Sequence, residues 1–197
     1  MPKTNDFVVD PEHDALVVVD VQKDFCEGGA LPVPDAASII PKIVDLMDQF
    51  PHVCTTRDWH EAPGDHFGDP PDFVDSWPIH CVAGTEGAEY HPALITDAFI
   101  DFVGMEFRKG KNRAAYSGFD GVNYSGRALG DYLRLMKINR VFIVGLATDY
   151  CVKATALDAV RQGFRTIVLL KACRGVNPET AAAAIVEMRD SGVVCIE

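Results

Sequence analysis

Three residues capable of covalent chemistry fall where apolar runs end. Cys151 lies in "GLATDYCVKAT" (145–155), directly after "RVFIV" (140–144), where a buried strand would turn into a helix. Asp20 lies in or just beyond the apolar run "ALVVVDVQ" (15–22), and Lys109 opens "KGKNRAAYSGF". The nucleophilic form of cysteine is the thiolate, and an unperturbed thiol titrates near 8.5, so at neutral pH it needs help. A helix capped by Thr148 or Asp149 would supply some, because its N-terminus favours a negative charge in the first turn. A carboxylate in an apolar strand is costly unless it is paired or used. Asp20 is therefore a candidate base, and Lys109 a cation that can pair with it and favour the thiolate. Singly, each has a plainer reading: a packed helix thiol and a strand-end ion pair. Their coincidence at strand ends favours a site.

A second group has the residue types of a metal site. In "RDWHEAPGDHF" (57–67), Asp58 and His60 are two apart, which on a strand places them on one face. His66 follows six residues later and His80 fourteen beyond that. One carboxylate with two or three imidazoles suits Fe(II), Mn(II) or Zn(II). Spacing alone leaves a loop of solvated histidines equally open. Cys81, beside His80, reads better as a small buried thiol than as a soft ligand.

The elements that must carry these residues alternate along the chain. Strands are expected at 15–22, 52–59, 103–110, 140–147, 165–172 and 193–196, and helices at 35–49, 126–137, 148–163 and 178–192. The near-continuous apolar strands are those of a sheet buried on both faces. The alternation predicts a three-layer α/β/α domain with an open, mainly parallel, Rossmann-like sheet of six strands. Ligands of such sheets bind beyond the carboxyl ends of the strands, where Asp20, Asp58, His60, Lys109 and Cys151 all fall. Residues 60–92 break the pattern. They are rich in proline and glycine and hold four of the six histidines, which marks a functional loop.

Composition narrows the class. The formal net charge of −11, with one short basic cluster at 108–113, argues against nucleic acid as a partner. No run approaches the roughly 18 apolar residues of a membrane span. The opening "MPKTNDFVVDPEHD" has no apolar core of a signal peptide, so six reduced cysteines in a cytoplasmic protein are expected.

The motifs together resemble a known family. "VVVDVQKDFCEGGAL" (17–31), "TRDWHEAPGDHF" (56–67), "SWPIHCVAGTEGAEYHP" (76–92), "KGKNRAAYSGFDG" (109–121) and "VGLATDYCVKATALDAV" (144–160) are similar to the nicotinamidase/pyrazinamidase branch of the isochorismatase-like cysteine hydrolases. The resemblance implies that fold over residues 14–197, with 1–13 as an N-terminal leader free to be flexible. It implies a nucleophile at Cys151, a proton acceptor at Asp20 and a third triad member at Lys109. It implies one divalent metal ion (Fe, Mn or Zn) on Asp58, His60, His66 and His80, orienting the pyridine nitrogen. Phe25, Trp77 and Tyr116 match the aromatic residues around the ring. Leu146 and Ala147 match a segment with a non-proline cis peptide, which aims the Ala147 and Cys151 N–H groups at an oxyanion.

The reaction so implied is hydrolysis of nicotinamide to nicotinic acid and ammonia through a Cys thioester, in NAD salvage, with pyrazinamide as a further substrate. The partner is then a small-molecule amide, with the chain a monomer or homo-oligomer. An isochorismatase or N-carbamoyl amidase on the same fold is the alternative, disfavoured by the metal loop. An idle binding module is disfavoured by Asp20, Lys109 and Cys151 together. Two departures stand out: Tyr150 occupies a position that is histidine in some relatives, and 111–113 is unusually basic.

Overall fold

The computed structural model describes residues 7–61, 64, 66–73 and 76–197, with 98 and 101–104 as backbone only. Residues 1–6 of the expected leader lie outside these. The strands are β1 (Asp14–Val19), β2 (Val53–Asp58), β3 (Val103–Lys109), β4 (Arg140–Leu146), β5 (Arg165–Arg174) and β6 (Val194–Ile196). They form one sheet in the order β3-β2-β1-β4-β5-β6, and every pairing is parallel. The chain builds outward from β1 to β3, then crosses back to start the other half at β4. The strand order therefore reverses between β1 and β4, where the crevice at the carboxyl ends forms a binding site in open α/β sheets.

The helices are α1 (Ile40–Met47), α2 (Asp97–Phe102), α3 (Leu129–Leu135), α4 (Lys153–Arg161) and α5 (Pro178–Asp190). Side chains alternate across a strand, and β1 shows the consequence. Leu16 and Val18 face one core, with Ile40, Ile43 and Met47 of α1. Ala15, Val17 and Val19 face the other, with Leu129 and Leu133 of α3, Ala156 of α4 and Met188 of α5. Burial on both faces explains the unbroken apolar runs.

The structure departs from expectation locally. The helix expected over 35–49 begins as a 3₁₀ turn at Ala36–Ile39, and Pro41 falls in the first turn of α1, where its fixed φ is tolerated. Helix α2 had not been expected. Phe7, in the expected leader, packs against Phe142 with ring centroids 4.8 Å apart, and Arg140 Nη2 donates to the Val8 carbonyl at 2.9 Å.

Candidate active site

Asp20 follows β1 directly and has a positive φ of 51°. The chain thus leaves the sheet at the residue that carries the carboxylate. Its Oδ1 accepts from Thr56 Oγ1 at 2.6 Å, and its Oδ2 lies 2.8 Å from Lys109 Nζ. Lys109 closes β3 and is fully buried. Its ammonium also meets Asp58 Oδ1 at 2.5 Å, the Ala115 carbonyl at 2.9 Å and Cys151 Sγ at 3.6 Å. Three strand ends and the turn after β4 thus converge on one ammonium group.

The turn after β4 is shaped by what precedes it. Gly145 has φ +117°, and a Cβ there would lie 2.1 Å from the Val19 carbonyl oxygen, so only glycine lets β4 run this close to β1. The Leu146–Ala147 peptide is cis. Thr148–Val152 then form a π-helical turn that continues into α4. Such turns are rare and recur at functional sites. Asp149 does not cap this helix. Its carboxylate accepts from the Val176 and Asn177 amides and from Thr180 Oγ1, tying the Cys151 turn to the start of α5.

The electrostatics follow from burial. Desolvation pushes the Cys151 thiol well above its ordinary range, and the Asp20 and Asp58 charges add to this while Lys109 opposes it. The help expected from a helix N-terminus is outweighed by the cost of charging a thiol this deeply buried. Burial also raises Asp20, only partly offset by Lys109, which makes it a better proton acceptor than an exposed carboxylate. Burial alone would pull Lys109 down, but Asp20 and Asp58 outweigh it and hold the ammonium charged.

The long loop folds back beside this group. His60 N donates to the Cys81 carbonyl at 3.0 Å, Ala83 N to the His60 carbonyl at 2.9 Å, and Trp77 N to the His66 carbonyl at 2.8 Å. These bonds bring three buried histidines together, with ring nitrogens of His60, His66 and His80 all within 4.8 Å of one another. His60 Nδ1 lies 2.5 Å from the Gly110 carbonyl and His80 Nδ1 2.7 Å from the Pro78 carbonyl. Both contacts require the proton on Nδ1, which leaves the Nε2 lone pairs toward the cluster. Burial lowers the pKa of both rings, which favours the neutral, ligating form. Buried His60 Nε2 has no hydrogen-bond partner among the described residues. Asp58 Oδ2 lies 4.0 Å from the Nε2 atoms of His60 and His80. Metal–ligand bonds of about 2.0–2.2 Å set ligand atoms about 3–4 Å apart around one ion, so a small inward movement of this donor set would hold one divalent cation. Asp58 serves both groups, with Oδ1 on Lys109 and Oδ2 toward the histidines. Cys81 is a buried thiol raised well above its ordinary value by burial. His91 lies elsewhere, its Nδ1 accepting from Ala93 N.

A cavity of about 630 Å³, counting its open mouth, joins the two groups. Its lining includes Asp58, His60, His66, His80 and Cys151, and the other expected contacts, Phe25, Trp77, Tyr116, Leu146 and Ala147. Trp77 Nε1 donates to Tyr116 Oη at 3.0 Å. Tyr150 stands edge-on to Trp77, with centroids 5.1 Å apart at 88°. The structure thus brings the expected site residues to one cleft, except Asp20 and Lys109, which are buried in the cluster beside Cys151. Sequence reasoning passed over Leu31, Pro32, Val33 and Val176, which also line it. The only signal for Leu31, Pro32 and Val33 was their place at or beside the end of the first motif, and Val176 had none, because apolar residues carry no chemistry of their own.

A family model described as "Isochorismatase domain" matches residues 14–197. The chain belongs to the isochorismatase family. It is 48% identical over 182 residues to a curated nicotinamidase/pyrazinamidase of Mycobacterium tuberculosis, covering 91% of this chain and 96% of that one. Among solved structures it is similar to a pyrazinamidase of Pyrococcus horikoshii in complex with zinc, at 38% identity and TM-score 0.80. That match covers 95% of this chain and 99% of that one. It is also similar to PnC1 of L. infantum in complex with nicotinate, at 31% identity and TM-score 0.84, over 97% and 96% of the two chains. The six-stranded parallel sheet is the fold these family members share.

Proposed function

We propose that the chain hydrolyses nicotinamide to nicotinic acid and ammonia, and pyrazinamide to pyrazinoic acid, through a thioester on Cys151, in NAD salvage. The observation that carries this reading is the Lys109 ammonium, 2.8 Å from Asp20 and 3.6 Å from the Cys151 sulfur at the floor of an aromatic-walled cleft. The relatives' names and the nicotinate complex support the choice of substrate.

Asp20 accepts the thiol proton, and Lys109 stabilises both the carboxylate and the nascent thiolate. The sulfur attacks the carboxamide carbon. The oxyanion that forms is held by the N–H groups of Ala147 and Cys151. Protonated Asp20 gives its proton to the amide nitrogen, the C–N bond breaks and ammonia leaves. Asp20 then takes a proton from water as it attacks the thioester, and the product acid departs with the thiol restored. Phe25, Trp77 and Tyr116 hold the flat ring and, with Tyr150, exclude bulk water. Asp58, His60, His66 and His80 would hold one divalent ion, Fe, Mn or Zn, and the zinc complex of the P. horikoshii relative supports this. When bound, that ion supplies an electrophilic anchor for the ring nitrogen.

The test is ammonia release from nicotinamide, with and without a chelator, by the chain and by Cys151→Ala. The reading predicts release by the parent, loss in Cys151→Ala, and a raised KM after metal removal. Turnover by Cys151→Ala near the parent rate would sink it.

A further inference from the structure

Gln22 is fully buried, and neither the triad nor the ligand set uses it. Its neighbours show a specific job. Strand β1 bonds β2 with an offset of 36 residues: Leu16 N donates to His52 O, and Asp20 N to Thr56 O at 3.3 Å. Continued by two residues, the same ladder would give Asp58 O the amide of residue 22 and Asp58 N the carbonyl of residue 20. That continuation does not occur, because Asp20 turns the chain with φ +51°. The two groups the ladder would have used bond to each other instead, Gln22 N donating to Asp20 O at 2.8 Å. Asp58 would then be left with both backbone groups unpaired in a buried position, which is costly.

The Gln22 carboxamide fills both places. Its Oε1 accepts from Asp58 N at 2.8 Å, and its Nε2 donates to Asp58 O at 2.9 Å. The second Nε2 hydrogen goes to the Ala88 carbonyl at 2.9 Å. We infer that Gln22 is a positioning residue: its side-chain amide stands in for the missing strand and fixes Asp58, so that one carboxylate oxygen meets Lys109 and the other faces His60 and His80. A carboxamide offers two donors and an acceptor without charge, which is the set these three bonds use. Glutamine has the reach, whereas glutamate would set an acceptor against two carbonyls. The inference rests on the proposed role of Asp58 as a metal ligand and adds what holds it.

The test compares zinc-loaded parent, Gln22→Glu and Gln22→Met, each also in an Asp58→Asn background. The zinc dissociation constant is measured by competition with a chromogenic chelator, beside thermal unfolding. With Asp58 present, both substitutions are expected to weaken zinc binding about 10–100-fold, the usual effect of losing an outer partner of a metal ligand. In the Asp58→Asn background the same substitutions should change it less than about 3-fold, because sites that act through one residue are not additive. Affinity within about 2-fold of the parent in either folded variant overturns the inference. So does an equal loss in both backgrounds. Failure of both variants to fold would assign Gln22 to the fold itself and also overturn the positioning role. A parent that neither binds zinc nor releases ammonia from nicotinamide fails the proposed function as well. A parent that does both, with unchanged Gln22 variants, fails this inference alone.

Discussion

Replacing Lys109 by methionine removes the one cation between two buried carboxylates. Lys109 Nζ lies 2.8 Å from Asp20 and 2.5 Å from Asp58, and at an effective dielectric of about 20 each attraction is worth about 6–7 kcal/mol before desolvation. Much of that is offset by the cost of burying the charges, and breaking a buried pair by deleting one partner typically costs about 3–5 kcal/mol. For a chain of this size that corresponds to a Tm lower by about 6–20 °C. The loss has a pH signature. Burial and the Asp58 charge already raise Asp20, and Lys109 opposes them. Without Lys109 the folded-state pKa rises further, so the folded state binds more protons than the unfolded one, and stability falls as pH rises. Lys109→Met should therefore lose Tm relative to the parent as pH rises above the ordinary aspartate value of about 3.9. Adding Asp20→Asn should restore part of the loss, because it removes one of the two buried carboxylates left without a cation. Thermal and urea unfolding across that pH range test this. A loss below about 1 kcal/mol, or no recovery in the double variant, would refute the reasoning about this buried cluster.

Other parts of the account are open to similar tests. Gly145→Ala should fail to fold or lose more than about 3 kcal/mol in urea unfolding, because a Cβ would meet the Val19 carbonyl at 2.1 Å and φ is +117°. Trp77→Phe keeps the aromatic wall but deletes the 3.0 Å bond to Tyr116. Steady-state kinetics should show KM for nicotinamide raised about 3–10-fold with kcat within about 2-fold. Glu106 is raised by burial, but its bonds to Arg57 and Arg108 outweigh this and hold it below the usual glutamate value. Its stabilisation is therefore complete above about pH 4.3 and lost as pH falls further. Glu106→Gln should flatten the acid limb of a Tm–pH curve; an unchanged slope would contradict the assignment.

Much of this site was legible in the sequence because parallel strands buried on both faces print as apolar runs, and chemistry concentrates at their carboxyl ends. Asp20, Lys109 and Cys151 stood out there by coinciding at strand ends, since each alone has a plainer reading. The three histidines stood out because a loop rich in proline and glycine held them near Asp58. Other features depend on three-dimensional neighbours. Spacing marked Asp58 as a candidate ligand and gave no sign that its other oxygen meets Lys109. Asp149 looked like a cap for its own helix, yet it braces α5, because the π-turn carries its carboxylate toward Val176. Gln22 fell at the end of the expected strand 15–22 with no sign of its role, since its partner is 36 residues away. A helix terminus promised the Cys151 thiol some help toward ionisation, but burial outweighs it and cannot be read from one segment.

The central claim is that Cys151 carries the acyl group. Acid-quenching the enzyme during nicotinamide turnover, followed by peptide mass spectrometry, tests this directly. The account predicts one nicotinoyl group on the peptide containing Cys151, absent in Cys151→Ala. Steady turnover with no acyl group on any cysteine, or an acyl group on a different residue, would contradict it.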